Sequence, residues 1–167
     1  MKLIAALLSC TLTLLAADDF SNRRAPGFSL PDSHFQQHDP QDYRGKVLII
    51  EFMQTGCAIC QKLTDNLVQL QTKYGDKLAI ISIMTLPDNY DTADKFAAAH
   101  KVTWPMVFDS GQVMASYLKM TPVNPRVEFP HMFVIDGNGT IRHDAGSREE
   151  SELTPDSISA QIDKLLK

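Results

Sequence analysis

Cys57-Ala58-Ile59-Cys60 is the stretch of this chain best suited to chemistry. Two cysteines with two residues between them can close into one disulfide across a single turn, and the reactive form of cysteine is the thiolate. Just upstream, Val47-Leu48-Ile49-Ile50 is an apolar, β-branched run with the signature of a buried strand, and after the cysteines the pattern becomes helical. The pair is therefore expected where a strand ends and a helix begins. The unpaired N–H groups and the dipole of a helix N-terminus stabilise negative charge, so this position suits a redox pair. Two other uses fit less well. Zinc needs further ligands, but the only other cysteine is Cys10, and no second C-x-x-C or H-x-x-x-H follows. A framework disulfide gains from the length of the loop it closes, and this loop is very short.

The elements that must hold the dithiol follow from hydrophobic pattern and turn chemistry. Pro26-Gly-Phe-Ser-Leu-Pro31 reads as a short extended segment with Phe28 and Leu30 on one face, and 32–42 as a polar loop. Beyond Cys60, apolar residues at Leu63, Leu67, Val68, Leu70 and Tyr74 mark one helix face, with Gly75 as a stop. Leu78–Met84 is a second buried strand, and a strand–helix–strand return makes the two strands parallel. A helix ending near His100 is expected to be capped by Asp91 or Thr92, and Trp104–Asp109 leads into a strand end. A short helix covers 111–118. Three prolines between Thr121 and Pro130 exclude regular structure there. His131–Ile135, the turn Asp136-Gly-Asn-Gly139 and Thr140–Asp144 form a hairpin, and Thr154-Pro155 opens a last helix with Ile158, Ile162, Leu165 and Leu166 on its buried side.

With 167 residues and a formal charge of −4, the chain suits one domain with a proper core and offers no basic patch to nucleic acid or an anionic membrane surface. Residues 1–17 have the layout of a signal peptide: Met1-Lys2, an apolar stretch too short for a confident span, then Ala16-Ala17. Leu7-Leu8-Ser9-Cys10 loosely resembles a lipoprotein box, which makes a lipid anchor at Cys10 an alternative. Residues 18–25 are expected to be a linker and 26–167 the folded domain. Export places the domain in an oxidising compartment, periplasm or cell envelope, where a dithiol stays reduced only if something reduces it.

The order strand, C-x-x-C helix, strand, helix, proline loop, hairpin, helix resembles the thioredoxin fold, and the details are similar to exported TlpA/ResA-type proteins. The matching pieces are Ala25-Pro-Gly-Phe-Ser-Leu-Pro-Asp32, Arg44-Gly-Lys-Val47, Cys57-Ala-Ile-Cys60 and Phe129-Pro-His-Met-Phe-Val-Ile-Asp-Gly-Asn-Gly139. The resemblance implies a three-layer α/β fold, a central mixed sheet flanked by helices, with an N-terminal extension. It implies that Cys57 is the exposed nucleophile, Cys60 the resolving cysteine, and Pro130 the proline that follows a cis bond beside the dithiol. Phe129, Pro130 and His131 would then line the path of an extended substrate peptide.

Glu51 interrupts an otherwise apolar strand and aligns with the buried acid that thioredoxins carry before their dithiol. Burial without a cation raises a carboxyl pKa, and Glu51 is expected to help deprotonate Cys60; the alternative is a strand-edge residue that reaches water. His131 is expected either near Cys57, favouring its thiolate, or pointing to solvent at a strand start. Met53, Met84 and Met132 read as core residues. The chain departs from the family in having Gly56 where tryptophan is usual, Ala58-Ile59 without proline or cation between the sulfurs, and Leu63 where ResA-type proteins can place a glutamate. Thiolate stabilisation then rests on the helix terminus, which implies a less strongly oxidising pair.

These readings converge on a thiol-disulfide oxidoreductase that needs no cofactor or metal and acts as a monomer on protein thiol or disulfide substrates with a redox partner protein. A Cu(I) carrier using Cys57, Cys60 and His131 is the alternative. A peroxidase of the peroxiredoxin type would need threonine three residues before the reactive cysteine, and Thr55 is two before Cys57.

Overall fold

The computed structural model describes residues 20–125 and 127–167; the expected signal peptide and Cys10 lie outside the described residues. Its centre is β4 (Val47–Met53), whose seven residues are all buried, and β5 (Leu78–Met84), equally buried, runs parallel to it with Glu51 opposite Ser82. The run of β-branched and aliphatic side chains suits strands covered on both faces. Around this pair the sheet is completed by β1 (Arg23–Arg24), β6 (Met106–Phe108), β7 (His131–Ile135) and β8 (Thr140–Gly146), in the spatial order β1-β8-β7-β4-β5-β6. β6 is parallel to β5, whereas β7 is antiparallel to β4 and β8 to β7, so the sheet is mixed as expected. A separate small ladder joins β2 (Leu30–Pro31) to β3 (Gln37–His38).

Alternation along β4 sorts its side chains onto two faces. Val47 and Ile49 meet Leu63, Leu67 and Leu70 of α1 (Ala58–Tyr74) and Ile158 and Ile162 of α4 (Pro155–Leu165). Leu48, Ile50 and Phe52 face the other way, against Phe133, Phe28 and Tyr117, the last on α3 (Gln112–Tyr117). Met53, Met84 and Cys60 form a third apolar group with Ala93 and Phe96 of α2 (Tyr90–His100). Met53, Met84 and Met132 are all fully buried, in agreement with their reading as core.

Two local readings change. The cap of α2 is Asn89, whose side chain accepts from the Thr92 amide while the Thr92 side chain accepts from the Asn89 amide; Thr92 is the reciprocal partner and Asp91 lies inside the first turn. Residues 20–25 are not a free connector. Arg23 and Arg24 pair with Ile141 and Thr140, the Arg23 guanidinium donates to the Tyr117 carbonyl, and the Phe20 ring packs near His131 and Phe133. A two-residue edge strand of arginines has no apolar alternation to announce it; the edge of β8 supplies the partner. We expect Phe20→Ala to lower stability by about 1–2 kcal/mol, measured by urea unfolding of the oxidised protein, whereas a true linker would show no change.

Candidate active site

Cys57 and Cys60 are joined in a disulfide where the chain passes from β4 into α1. Cys57 is the N-cap of the helix: its backbone is extended, with φ −89° and ψ 116°, and its sulfur accepts the Cys60 amide at 3.2 Å. One of the orphan donors at the helix start is thus spent on this sulfur, the arrangement that favours a thiolate once the bond is reduced. The two sulfurs differ in access. Cys57 is half-buried between exposed Gly56 and Ala58, whereas Cys60 is sealed in the apolar group below.

The turn that presents Cys57 is held from outside the helix. The Thr55 amide and hydroxyl both donate to the buried Asp88 carboxylate, the amide at 2.8 Å, and the Gln54 side chain donates to the Leu86 carbonyl at 2.8 Å. From within α1, the Gln61 side chain donates to the Thr55 carbonyl at 2.8 Å. On the other side, the Phe129–Pro130 bond is cis, Pro130 is buried, and the Phe129 carbonyl oxygen lies 3.7 Å from Cys57 Sγ. The register that opposes Phe52 to His131 brings the proline loop to this end of the sheet.

His131 is fixed by another partner. Its Nε2 lies 3.1 Å from Asp144 Oδ2, and its ring sits against Phe133 and Phe20, centroids 4.8 and 5.9 Å away. With 14% of its side chain exposed it does not project into solvent.

Glu51 is fully buried, on the same face of β4 as Met53 and therefore beneath α1. Loss of solvent pushes its pKa up to about 8, against a smaller downward pull from hydrogen bonding by Ser82 and from the nearby Thr64 hydroxyl. Ser82 Oγ donates to Glu51 Oε2 at 2.9 Å, and the Trp104 indole donates to Ser82 Oγ, also at 2.9 Å. Thr64 is close enough to influence the carboxyl, yet neither Thr64 Oγ1 nor Glu51 Oε1 completes a hydrogen bond. Ser82, Thr64, Trp104 and Asp88 were not legible as site residues. The signal for Ser82 was present all the same: it is the one polar residue of its seven-residue strand, at the same place as Glu51 in β4.

Among the described residues, no group of three or more His, Cys, Asp or Glu side chains is arranged to hold a metal ion, which counts against the Cu(I) reading. No helix among them is long and apolar enough to cross a membrane.

A mixed sheet flanked by helices, with a disulfide-forming cysteine pair at the head of the first long helix, is a thioredoxin-like fold carrying a redox centre. The profile of the AhpC/TSA family matches residues 22–144, and the chain belongs to that family. It is 28% identical over 127 residues to the thioredoxin-like protein YneN of Bacillus subtilis, covering 72% of this chain and 68% of that protein. To the thiol-disulfide oxidoreductase ResA of Geobacillus kaustophilus it is 30% identical over 119 residues, covering 71% of this chain and 64%, just under two thirds, of ResA. Two solved structures share the fold. A thiol:disulfide interchange protein from Bacteroides sp. has a TM-score of 0.69 at 21% identity, covering 88% of this chain and 91% of that one. A thiol:disulfide interchange protein from Chlorobium tepidum has 0.71 at 17%, covering 87% and 97%.

The raised pKa of Glu51 sets the sign of a stability effect. Below the carboxyl's ordinary value both folded and unfolded chains hold the proton; between there and about 8 only the folded chain does, so this group's contribution falls as pH rises through that window. Glu51→Gln is expected to become progressively more stable than the unsubstituted protein as pH rises across that window. Urea midpoints of both oxidised proteins as a function of pH measure the difference, and a constant difference would contradict the burial of the carboxyl.

Proposed function

We propose that this protein is a TlpA/ResA-type thiol-disulfide oxidoreductase that exchanges disulfides with protein substrates outside the cytoplasm. The unequal access of the two sulfurs carries the reading. The half-exposed Cys57, at a helix N-terminus, is placed to attack; the sealed Cys60 is placed to resolve. In the reducing direction the Cys57 thiolate attacks one sulfur of a substrate disulfide, and the other sulfur leaves as a thiolate. The Cys60 thiolate then attacks Cys57 Sγ, the mixed disulfide breaks, the second substrate sulfur departs, and two electrons have passed to the substrate as the Cys57–Cys60 bond closes. Run backwards, the same steps oxidise a substrate dithiol.

Phe129, joined to Pro130 by the cis bond, borders Cys57, and an extended substrate segment laid along this backbone places its sulfur within reach. His131 serves this site at one remove, anchoring the start of β7 through Asp144. Glu51 takes the proton of Cys60 in the resolving step; a carboxyl with a pKa of about 8 is matched to a thiol at neutral pH. The signal-peptide pattern of residues 1–17 and the resemblance to exported proteins support a place in the periplasm or cell envelope. The ResA relatives support the chemistry.

With Cys60→Ala, mixed disulfides with partner proteins are expected to accumulate on Cys57 and to vanish on reduction, while Cys57→Ala accumulates none. The unsubstituted dithiol is expected to equilibrate with a glutathione buffer. Absence of trapped partners in the exported compartment, together with a dithiol inert to glutathione, would exclude the activity.

A further inference from the structure

The two oxygens of Glu51 are treated differently. An indole N–H can only donate, so in the Trp104–Ser82–Glu51 chain the direction is set at its outer end. Trp104 donates its N–H to a lone pair of Ser82 Oγ, and Glu51 Oε2 is the acceptor that the one hydroxyl hydrogen of Ser82 meets. That oxygen is an acceptor whether or not the carboxyl is ionised. A neutral Glu51 therefore carries its proton on Oε1, the oxygen without a partner.

The polar group nearest in kind to Oε1 is also without one. Thr64 Oγ1 is buried and makes no hydrogen bond, although helical threonines commonly bond the carbonyl four residues back. Thr64 stands four positions after Cys60 in α1, and both are fully buried, so they project from one helix face onto the sheet face that carries Glu51. Two buried polar atoms without hydrogen-bond partners are costly to keep, and a functional role is one reason for a fold to retain them. Among the described residues, the polar neighbours of the carboxyl are Ser82 from β5 and Thr64 from α1, with Trp104 behind Ser82; its partner on β7 is the apolar Met132, and none of the described charged side chains contributes to its titration.

Building on the oxidoreductase reading above, we propose that Ser82 and Trp104 are positioning residues that hold the Glu51 proton on Oε1, and that the Thr64 hydroxyl carries it between Glu51 and Cys60. In the resolving step the Cys60 thiol gives its proton to Thr64 Oγ1 as the Thr64 hydroxyl hydrogen passes to ionised Glu51. The sulfur, now a thiolate, attacks Cys57 and the substrate leaves with the electron pair of the broken bond. When the disulfide is instead opened by a substrate thiolate, the proton returns from Glu51 through Thr64 to the departing Cys60.

Trp104 is the only tryptophan, so its fluorescence reports on the chain to which it donates. In the oxidised full-length protein Cys57 and Cys60, joined in the disulfide, do not titrate. Its emission is expected to change with pH about the midpoint of Glu51, to lose that transition in Glu51→Gln and in Ser82→Ala, and to keep it in Ser82→Thr. Should Ser82→Ala not fold, Trp104→Phe with an isotope-labelled Glu51 carboxyl read by NMR tests the same point: freed of its donor, Ser82 can accept from the neutral carboxyl, and the midpoint moves up. In rapid-mixing measurements of mixed-disulfide resolution at neutral pH, Thr64→Val is expected to be slower by about tenfold or more, with a flattened pH profile, and Thr64→Ser to recover the rate. A Thr64→Val protein that resolves at the unsubstituted rate overturns the relay. A fluorescence transition indifferent to Ser82→Ala, or an unmoved midpoint in Trp104→Phe, overturns the positioning. Because the fluorescence arm uses no substrate, a protein that passes it but exchanges no disulfides refutes the oxidoreductase reading and leaves the positioning intact.

Discussion

Everything at the redox end of this molecule depends on β4 being enclosed on all sides. Its edges are hydrogen-bonded to β5 and β7, and its faces are covered by α1 on one side and by the Phe133–Tyr117 group on the other. A strand in that position cannot slide by one residue without turning its whole set of side chains to the wrong face. The point at which it releases the chain, after Met53, is consequently invariant within the fold, and so is the place where α1 begins. Cys57 inherits its position from that junction. The antiparallel neighbour β7 begins opposite Phe52, so the Phe129 carbonyl arrives beside the same sulfur through sheet register.

The enclosure also divides the electrostatics. At the head of α1 the Cys60 amide, which donates to Cys57 Sγ, and partial solvent access favour an anion on Cys57. A short way along the sheet, Glu51 has lost all solvent and faces no cation among the described residues, so its neutral form is favoured. One group is prepared to be charged and the other to hold a proton, and the covalent backbone of β4 and its turn keeps them apart. Burying the carboxyl lowers stability at neutral pH, and the chain tolerates this because the rest of the strand is apolar and well packed. Retaining a destabilising group in the centre of a sheet accords with a chemical role.

One loop and one strand complete the site without belonging to it in sequence. Asp88, in the loop after β5, accepts both donors of Thr55 and also the hydroxyl of Thr92, so one carboxylate ties the turn before Cys57 to the first turn of α2. Asp144 on β8 does the corresponding work at the other edge by holding His131. Both are short acidic side chains answering donors that the sheet and helices leave over. Rigidity around Cys57 is therefore drawn from β4, β5 and β8 together.

The sequence by itself determined the strand-to-helix placement of the dithiol, the parallel β4–β5 pair, the hairpin after Pro130 and the apolar faces of α1 and α4, because these are carried by local periodicity and turn residues that need no distant partner. It also singled out Glu51, since one charged residue in an apolar run is visible in one dimension. Only the tertiary structure decided what that carboxyl meets. Ser82, Trp104 and Thr64 come from three other segments, and nothing in their spacing relates them to residue 51; strand register and helix packing bring them together. The same holds for Arg23–Arg24, for His131 with Asp144 and for Thr55 with Asp88. A hydrogen bond across a fold is written in geometry, and a polar residue in a loop or at an edge looks alike in sequence whether its partner is water or another side chain.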